Sequence, residues 1–161
     1  MRVRKSTNDQ GTITREVLAK KERIGLVTVD LPGKGLGVLA RQPFHNNQIL
    51  CEYIGERVTL EESRERLSNL TEKQGCYILD FECRRKSFSL DATKNDGRKG
   101  RLVNHSCQPN CKAEIRTIDN VQRVVLVAKQ TIGIGEEITY DYGDRDKETL
   151  EANPWLADAS R

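Results

Sequence analysis

The chain has 161 residues, 36% hydrophobic and 32% charged, which suits one domain with a real core and a well-solvated surface. Five cysteines (Cys51, Cys76, Cys83, Cys107 and Cys111) are an odd number and argue against a disulfide framework. No apolar run approaches the roughly 18 residues of a membrane span, and the polar N-terminus lacks the apolar stretch of a signal peptide, so a soluble intracellular protein is expected.

The net charge of +3 is unevenly placed. Residues 1–23 hold seven Lys/Arg against three Asp/Glu, whereas Glu136 to Asp158 holds eight acids against Arg145 and Lys147. The basic end suits phosphate contacts and the acidic end a basic peptide; solvated surface accounts for both as well.

In chain order, residues 1–12 read as flexible and 13–23 as helical with a weak apolar face. Together they form a flexible basic arm with an N-terminal helix. Leu26-Val27-Thr28-Val29 reads as a strand, Leu31 to Gly37 as a glycine-rich loop, and Gly37 to Ala40 and Gln48 to Ile54 as strands joined by the turn Gln42–Asn47. Thr59-Leu60-Glu61-Glu62 is a capping box that opens a polar surface helix to about Leu70, with Glu62 expected to reach back to Thr59. Further strands are expected at Cys76–Glu82, Ser87–Leu90, Lys112–Ile118 and Val121–Ala128. Asp119-Asn120 suits a tight hairpin turn between the last two. Ile132 to Gly135 reads as a turn before a strand over Glu136–Tyr142, and a short helix is expected over Lys147–Ala152, stopped near Pro154. Short strands without βαβ alternation predict a mainly β, α+β domain of several small sheets.

Two stretches concentrate chemistry: Gly100-Arg101-Leu102-Val103-Asn104-His105-Ser106-Cys107-Gln108-Pro109-Asn110-Cys111, and Glu136 to Gly143 with its two tyrosines. In a strand, residues i and i+2 share a face, so Tyr140 and Tyr142 point their phenols to one side. The four tyrosines, Tyr53, Tyr77, Tyr140 and Tyr142, read equally well as hydrogen-bonded core residues. Gly33-Lys34-Gly35-Leu36-Gly37 lacks the spacing of a dinucleotide or phosphate loop. His105, Cys107 and Cys111 fall short of a structural zinc site, which takes four ligands, usually as two close pairs. Cys107 or Cys111 with His105 is a possible nucleophile pair without a separate base or orienting group.

Taken together, the chain resembles the SET domain of protein lysine methyltransferases over roughly residues 24–157. The matching motifs are Gly33-Lys34-Gly35-Leu36-Gly37, Glu52-Tyr53-Ile54-Gly55, Gly75-Cys76-Tyr77, Asp91-Ala92-Thr93, Gly100 to Ser106 and Gly135 to Gly143, in order. Tyr140 to Arg145 followed by Asn153-Pro154-Trp155-Leu156 is similar to the branch that monomethylates lysine 20 of histone H4. That branch lacks the zinc-binding cysteines after the domain. Asn104 to Cys111 is closer to histone H3 methyltransferases, where Cys111 would be a zinc ligand. Its partner cysteines are missing here, so no metal is expected and Cys111 is expected to be a free thiol. Leu36 stands where the H4 branch carries a basic residue.

The resemblance implies a SET domain over residues 24–145 with a C-terminal pseudoknot of the 104–111 and 136–143 segments. Residues 146–161 would close the site. The implied cofactor is S-adenosylmethionine, contacted by Lys34, Gly35 and Leu36 through the loop, by Asn104 and His105 through side-chain and main-chain bonds, by Tyr77 at its carboxylate and by Trp155 near its adenine. Tyr142 would be the catalytic phenol, with Tyr53 and Tyr140 lining the lysine channel and Tyr140 limiting how many methyl groups fit. The implied setting is the nucleus and chromosome, with a histone tail, H4 first, as substrate, nucleosomal DNA touching the basic arm, and a monomeric enzyme. A histone H3 or non-histone lysine is a second reading of the substrate, and a degenerate SET reader or scaffold a third reading of the function.

Overall fold

An unbroken apolar run, Val124 to Ala128, is buried along its whole length and organises the computed structural model, which describes residues 13–70, 77–94 and 96–142. The described elements are helices α1 (Arg15–Gly25) and α2 (Leu60–Ser68) and strands β1 (Leu26–Leu31), β2 (Gly35–Ala40), β3 (Ile49–Glu52), β4 (Glu56–Val58), β5 (Ile78–Cys83), β6 (Lys86–Asp91), β7 (Asn104–His105), β8 (Cys111–Ile118), β9 (Val121–Ala128) and β10 (Thr139–Tyr140). They form four small sheets, in the orders β1-β2, β10-β7, β3-β9-β8 and β4-β6-β5. This is the mainly β, α+β architecture expected from the short apolar runs.

Side chains alternate across a strand, and β9 uses both faces. Val124, Leu126 and Ala128 join the main core with Leu50, Val103 and Ile138. Val125 and Val127 face the other way, where Leu18 and Ile118 cover them. Leu18, Glu22 and Gly25 of α1 recur at four- and three-residue spacing on one helical face, and all three are buried. That face explains why a helix with so little apolar content holds. It carries one well-placed leucine and one buried carboxylate.

Glu22 is only 2% exposed. It accepts a hydrogen bond from Arg98 Nε at 2.8 Å and one from the Lys99 backbone N–H at 2.5 Å. Glu52 of β3, 3% exposed, is met by Arg15 Nε at 3.0 Å and approached by Arg123 Nη1 at 3.4 Å. A buried carboxylate is tolerable only when paired and hydrogen-bonded, and both carboxylates are. The pairs tie α1 to β3, to β9 and to the segment that leads into Gly100.

Several expected elements shift. The glycine-rich loop is mostly hairpin: the β1-β2 register runs to Leu31 opposite Gly35. The turn places Pro32 and Gly33 centrally, with Gly33 at φ +77 and the Lys34 N–H donating to the Leu31 carbonyl at 3.1 Å. Thr59 caps α2 through the Glu62 amide at 3.1 Å, but the Glu62 carboxylate does not reach back. It accepts from Arg66 Nη2 at 2.6 Å, the stronger, charge-assisted partner one turn on. The expected strand over Glu136–Tyr142 changes partner midway. Ala40 N donates to Glu136 O and Ile138 N to Val38 O, at 2.9 and 2.8 Å, before Thr139 and Tyr140 pair with β7. The two-residue turn Asp119-Asn120 is as expected, with φ of 50 and 61. Residues 1–12, the Lys147–Ala152 helix and the 146–161 segment lie outside the described residues.

The sheet faces also set an acid limit on stability. Burial raises the Glu114 carboxyl pKa, but hydrogen bonds from Lys112 and Arg116 outweigh it and leave the group below its ordinary value of 4.5. A carboxyl lowered on folding stabilises fully above its unfolded pKa and loses that contribution as pH falls through the folded value. Stability is therefore expected to hold down to about pH 4.5 and then decline. Glu114→Gln should lower stability by about 1 kcal/mol at neutral pH and flatten part of the acid limb. A melting-temperature profile against pH checks this, and an unchanged acid limb in the variant would contradict it.

Candidate active site

Asn104 and His105 sit in β7, and Thr139 and Tyr140 in β10 lie parallel beside them, with Thr139 opposite Asn104 and Tyr140 opposite His105. A ladder this short is reinforced by side chains. Asn110 Nδ2 donates to the Glu137 carbonyl at 2.8 Å, and Asn110 Oδ1 accepts from the Thr139 N–H at 3.0 Å. One amide thus replaces two rungs of a sheet.

The tyrosine pair comes together as the two-residue spacing predicts. The Tyr140 and Tyr142 ring centroids are 4.6 Å apart, and the His105 ring lies edge-on to Tyr142 at 5.2 Å. Tyr140 is 5% exposed. The Tyr142 hydroxyl donates to the Val103 carbonyl at 2.7 Å, so its proton is directed inward and its oxygen is presented as an acceptor. The Tyr142 backbone N–H donates to His105 Nδ1 at 3.0 Å. An accepting Nδ1 carries no proton, so the ring is the neutral Nε2–H tautomer. The Asp141 oxygen 3.8 Å from Nδ1 is then no ion-pair partner.

Asn104 is tied back to the β1-β2 hairpin: its Nδ2 donates to the Leu36 carbonyl at 3.2 Å and to Glu137 Oε1 at 3.1 Å. The other Glu137 oxygen receives Lys34 Nζ at 2.9 Å. Gly37 makes this approach possible, since a Cβ there would run into the Leu31 side chain and lie 2.9 Å from Asn104 Nδ2. Gly100 serves the same end on the other side, where a Cβ would lie 2.7 Å from the Glu52 carbonyl. Tyr77 is held by its own carbonyl, which accepts from the Ala92 N–H at 2.8 Å, and by Arg101, whose guanidinium lies 4.1 Å from the ring centroid. Arg101 Nη1 also donates to the Ala92 and Thr93 carbonyls at 2.7 and 2.9 Å.

The structure thus brings Tyr140, Tyr142, His105 and Asn104 together, with Leu36 joined to Asn104 directly through its carbonyl and Lys34 joined to it through Glu137. Buried Tyr53 and partly buried Tyr77 belong to the same core cluster as the tyrosine pair. Trp155 lies outside the described residues. Glu137, Asn110, Arg101 and the Val103 carbonyl were not anticipated as site-forming groups. Glu137 had read as one acid among eight, although its place two residues before Thr139 put it on the approach to the tyrosines. The buried thiols of Cys51 and Cys111 are unsuited to nucleophilic work. Burial pushes Cys111 up to about 12 and, with Glu22 nearby, raises Cys51 well above its ordinary value. Among the described residues no group of three or more His, Cys, Asp or Glu is placed to hold a metal ion.

Comparison with known proteins bears on this geometry directly. The sequence model of the SET domain matches residues 35–143, from the β2 glycine to just past Tyr142. The chain belongs to the SET-domain family. The N-lysine methyltransferase KMT5A of Xenopus tropicalis is 38% identical over 143 residues, 88% of this chain and 43% of that protein. The histone-lysine N-methyltransferase Set8 of Drosophila melanogaster is 42% identical over 135 residues, 83% of this chain and 20% of the fly protein. The match therefore covers less than half the length of the frog protein and a fifth of the fly protein. Among solved structures, that of CpSET8 from Cryptosporidium aligns with a TM-score of 0.66 and 31% identity, covering 82% of this chain and 64% of that one.

In this SET domain Glu137 is a junction between the hairpin and β7. Glu137→Ala should cost about 1–3 kcal/mol, because buried Asn104 loses a charged acceptor. Lys34→Ala should cost under about 1 kcal/mol, because its half-exposed ion pair is screened. Thermal or urea melts of the two variants check the order. Equal losses would mean that the Asn104 contact adds nothing.

Proposed function

We propose that this chain transfers a methyl group from S-adenosylmethionine to a lysine side-chain amine, with histone H4 on the nucleosome as its substrate and one methyl as its product. The observation that carries the reading is the pairing of the buried Tyr140 and partly buried Tyr142 phenols beside the Asn104–His105 ladder, with the Tyr142 proton directed to the Val103 carbonyl. The names of the relatives, lysine and histone-lysine methyltransferases, support the substrate class.

The hairpin face suits such a cofactor. Beside the Asn104 amide stands an apolar side chain, Leu36, 52% exposed. At Gly33 and Gly35 an added Cβ would meet open space. Main-chain polar groups, an amide and an apolar cover suit a ligand with an amino-acid end and a nucleoside end. Lys34, Gly35, Leu36, Tyr77, Asn104 and His105 would hold it, with Trp155 closing over the adenine. When bound, the cofactor supplies a methyl group made electrophilic by its sulfonium.

The protein's own task is to present a neutral amine in line with that methyl. A free lysine has a pKa of about 10.4, and burial among phenols and carbonyls favours its uncharged form. Tyr142 accepts from the amine through its oxygen and fixes its direction. Tyr53 and Tyr140 form walls that exclude water and restrict rotation of the amine, so orientation supplies most of the rate. The Tyr140 hydroxyl occupies the volume a second methyl would need. In this reading residues 24–145 are the catalytic domain, 146–161 its closing segment, and 1–23 an arm whose basic residues meet DNA. The enzyme acts as a monomer in the nucleus, on the chromosome.

Mass spectrometry of recombinant nucleosomes and free histones after incubation with the chain and S-adenosylmethionine tests the proposal. A single methyl on H4 is expected. Methyl on H3, or no methyl on any histone, would overturn the substrate assignment. Tyr140→Phe should add a second methyl to the product, and an unchanged single methyl would remove Tyr140 from that role. Tyr142→Phe should lower turnover about a hundredfold or more while calorimetry still registers cofactor binding. A near-normal rate would exclude it as the catalytic phenol.

A further inference from the structure

Two hairpins in this fold close with the same turn and opposite chemistry. Both loops have two residues, between Cys83 and Lys86 and between Ile118 and Val121. Both turns have positive φ at both central positions, the type I′ form, which favours Asn, Asp and Gly. Asp119-Asn120 complies, with φ of 50 and 61. Arg84-Arg85 does not, yet it adopts φ of 51 and 63. A disfavoured residue held in a disfavoured conformation points to a use outside the turn itself.

The surroundings indicate the use. Arg84, Arg85 and Lys86 are consecutive and exposed, and Arg57 of β4 is exposed on the neighbouring strand. In the sheet register Arg57 lies opposite Leu90, which places it on the face shared by Lys86, Phe88 and Leu90, and its guanidinium sits 3.6 Å from the Phe88 centroid. The hairpin's acids, Asp80 and Glu82, lie opposite Ser89 and Ser87 and so occupy the other face. Arg15, Arg66, Arg98, Arg116 and Arg123 are each tied to a carboxylate. Among the described residues, Arg57, Arg84, Arg85 and Lys86 are not.

We propose that the tip of the β5-β6 hairpin is a docking surface for the phosphate backbone of double-stranded DNA, carried by Arg84, Arg85, Lys86 and Arg57. Long cations projecting from a turn match backbone phosphates, which position a protein without reading sequence. Duplex is favoured over single strand because the tip offers no open stacking platform. Phe88 is covered by Arg57 and packs against Phe81 at 5.9 Å. The choice of DNA rests on the nucleosomal reading of the substrate. β5 runs six residues from beside Tyr77 to the tip, roughly 20 Å at strand rise. The contact would therefore anchor the domain at a distance from the tyrosine pair and leave the amine's approach open.

The test uses the full chain and a labelled 30-base-pair duplex, with affinity measured across a salt series. In Arg84→Asn/Arg85→Gly the turn becomes a favoured one, so the melting temperature should stay level or rise. Duplex affinity at low salt should fall about tenfold or more, and the salt slope should shrink by about two units. Lys86→Gln/Arg57→Gln, which leaves the turn alone, should weaken binding in the same direction. The charge-matched control Arg41→Asn/Arg64→Asn should retain most of the affinity. Unchanged affinity and slope in the folded hairpin variants would overturn the proposal. So would an equal loss in the control, or an effect confined to an acidic protein surface such as a histone dimer. Methyl transfer to a short H4 peptide is measured separately. Its absence in the wild-type chain would count against the catalytic reading alone, and its preservation in the hairpin variants is expected here.

Discussion

The site depends on a ladder of two residue pairs. Parallel strands have to be brought together by a crossover, and here the connection between His105 and Thr139 is the whole β8-β9 hairpin with the turns that follow it. Backbone hydrogen bonds net only about 0.5–1.5 kcal/mol each, so so few rungs cannot hold the segments in register against the entropy of the chain between them. What holds them is the set of side chains around the ladder. Asn110 bridges to both sides of Ile138, Glu137 gathers Asn104 and Lys34, and Val103 receives the Tyr142 hydroxyl. Each bond joins parts of the chain far apart in sequence, and all but the exposed Lys34–Glu137 pair are partly buried. The register of the tyrosines is a property of this network more than of the strand that bears them.

Charge in this chain is used internally to an extent its composition conceals. Glu136 takes the Gly133 N–H at 2.6 Å and stiffens a turn. Glu137 binds a lysine and an asparagine, and Glu22 and Glu52 sit inside arginine pairs. An acidic run near the tyrosines had read as a lure for a basic peptide, but Glu136 and Glu137 already have partners within the fold. Three consecutive exposed cations at the tip of the β5-β6 hairpin, Arg84, Arg85 and Lys86, are by contrast not paired with a carboxylate among the described residues.

What was legible in the sequence follows from period and turn chemistry. The long strands β8 and β9, their Asp119-Asn120 turn, the Thr59 cap and the convergence of Tyr140 and Tyr142 all rest on local rules, and local rules suffice for them. β4 and β7 were not legible, because runs of two or three residues carry no periodicity. The partner exchange along Glu136–Tyr140 was hidden because a continuous β-like run says nothing about which strand each half will meet. Arg84-Arg85 obscured its own turn by breaking the residue preferences that announce one. Glu22 could not be told from a solvated helix acid, since its burial is decided by Arg98, 76 residues away. The Gly-rich opening and the Asn-His pair were legible as motifs, while their linkage through Glu137 is a tertiary fact.

The family match begins at Gly35, but the folding unit begins earlier. β9 has two apolar faces, and the second is sealed by Leu18 from a helix that the match does not include. A chain trimmed to the family boundary would also lose β1, the partner of β2, and would bare Val125 and Val127 to water. The exposed strip and the unpaired edge would then become adhesive, inviting self-association before any question of catalysis arose. The evolutionary module and the physical module are thus different lengths of the same chain.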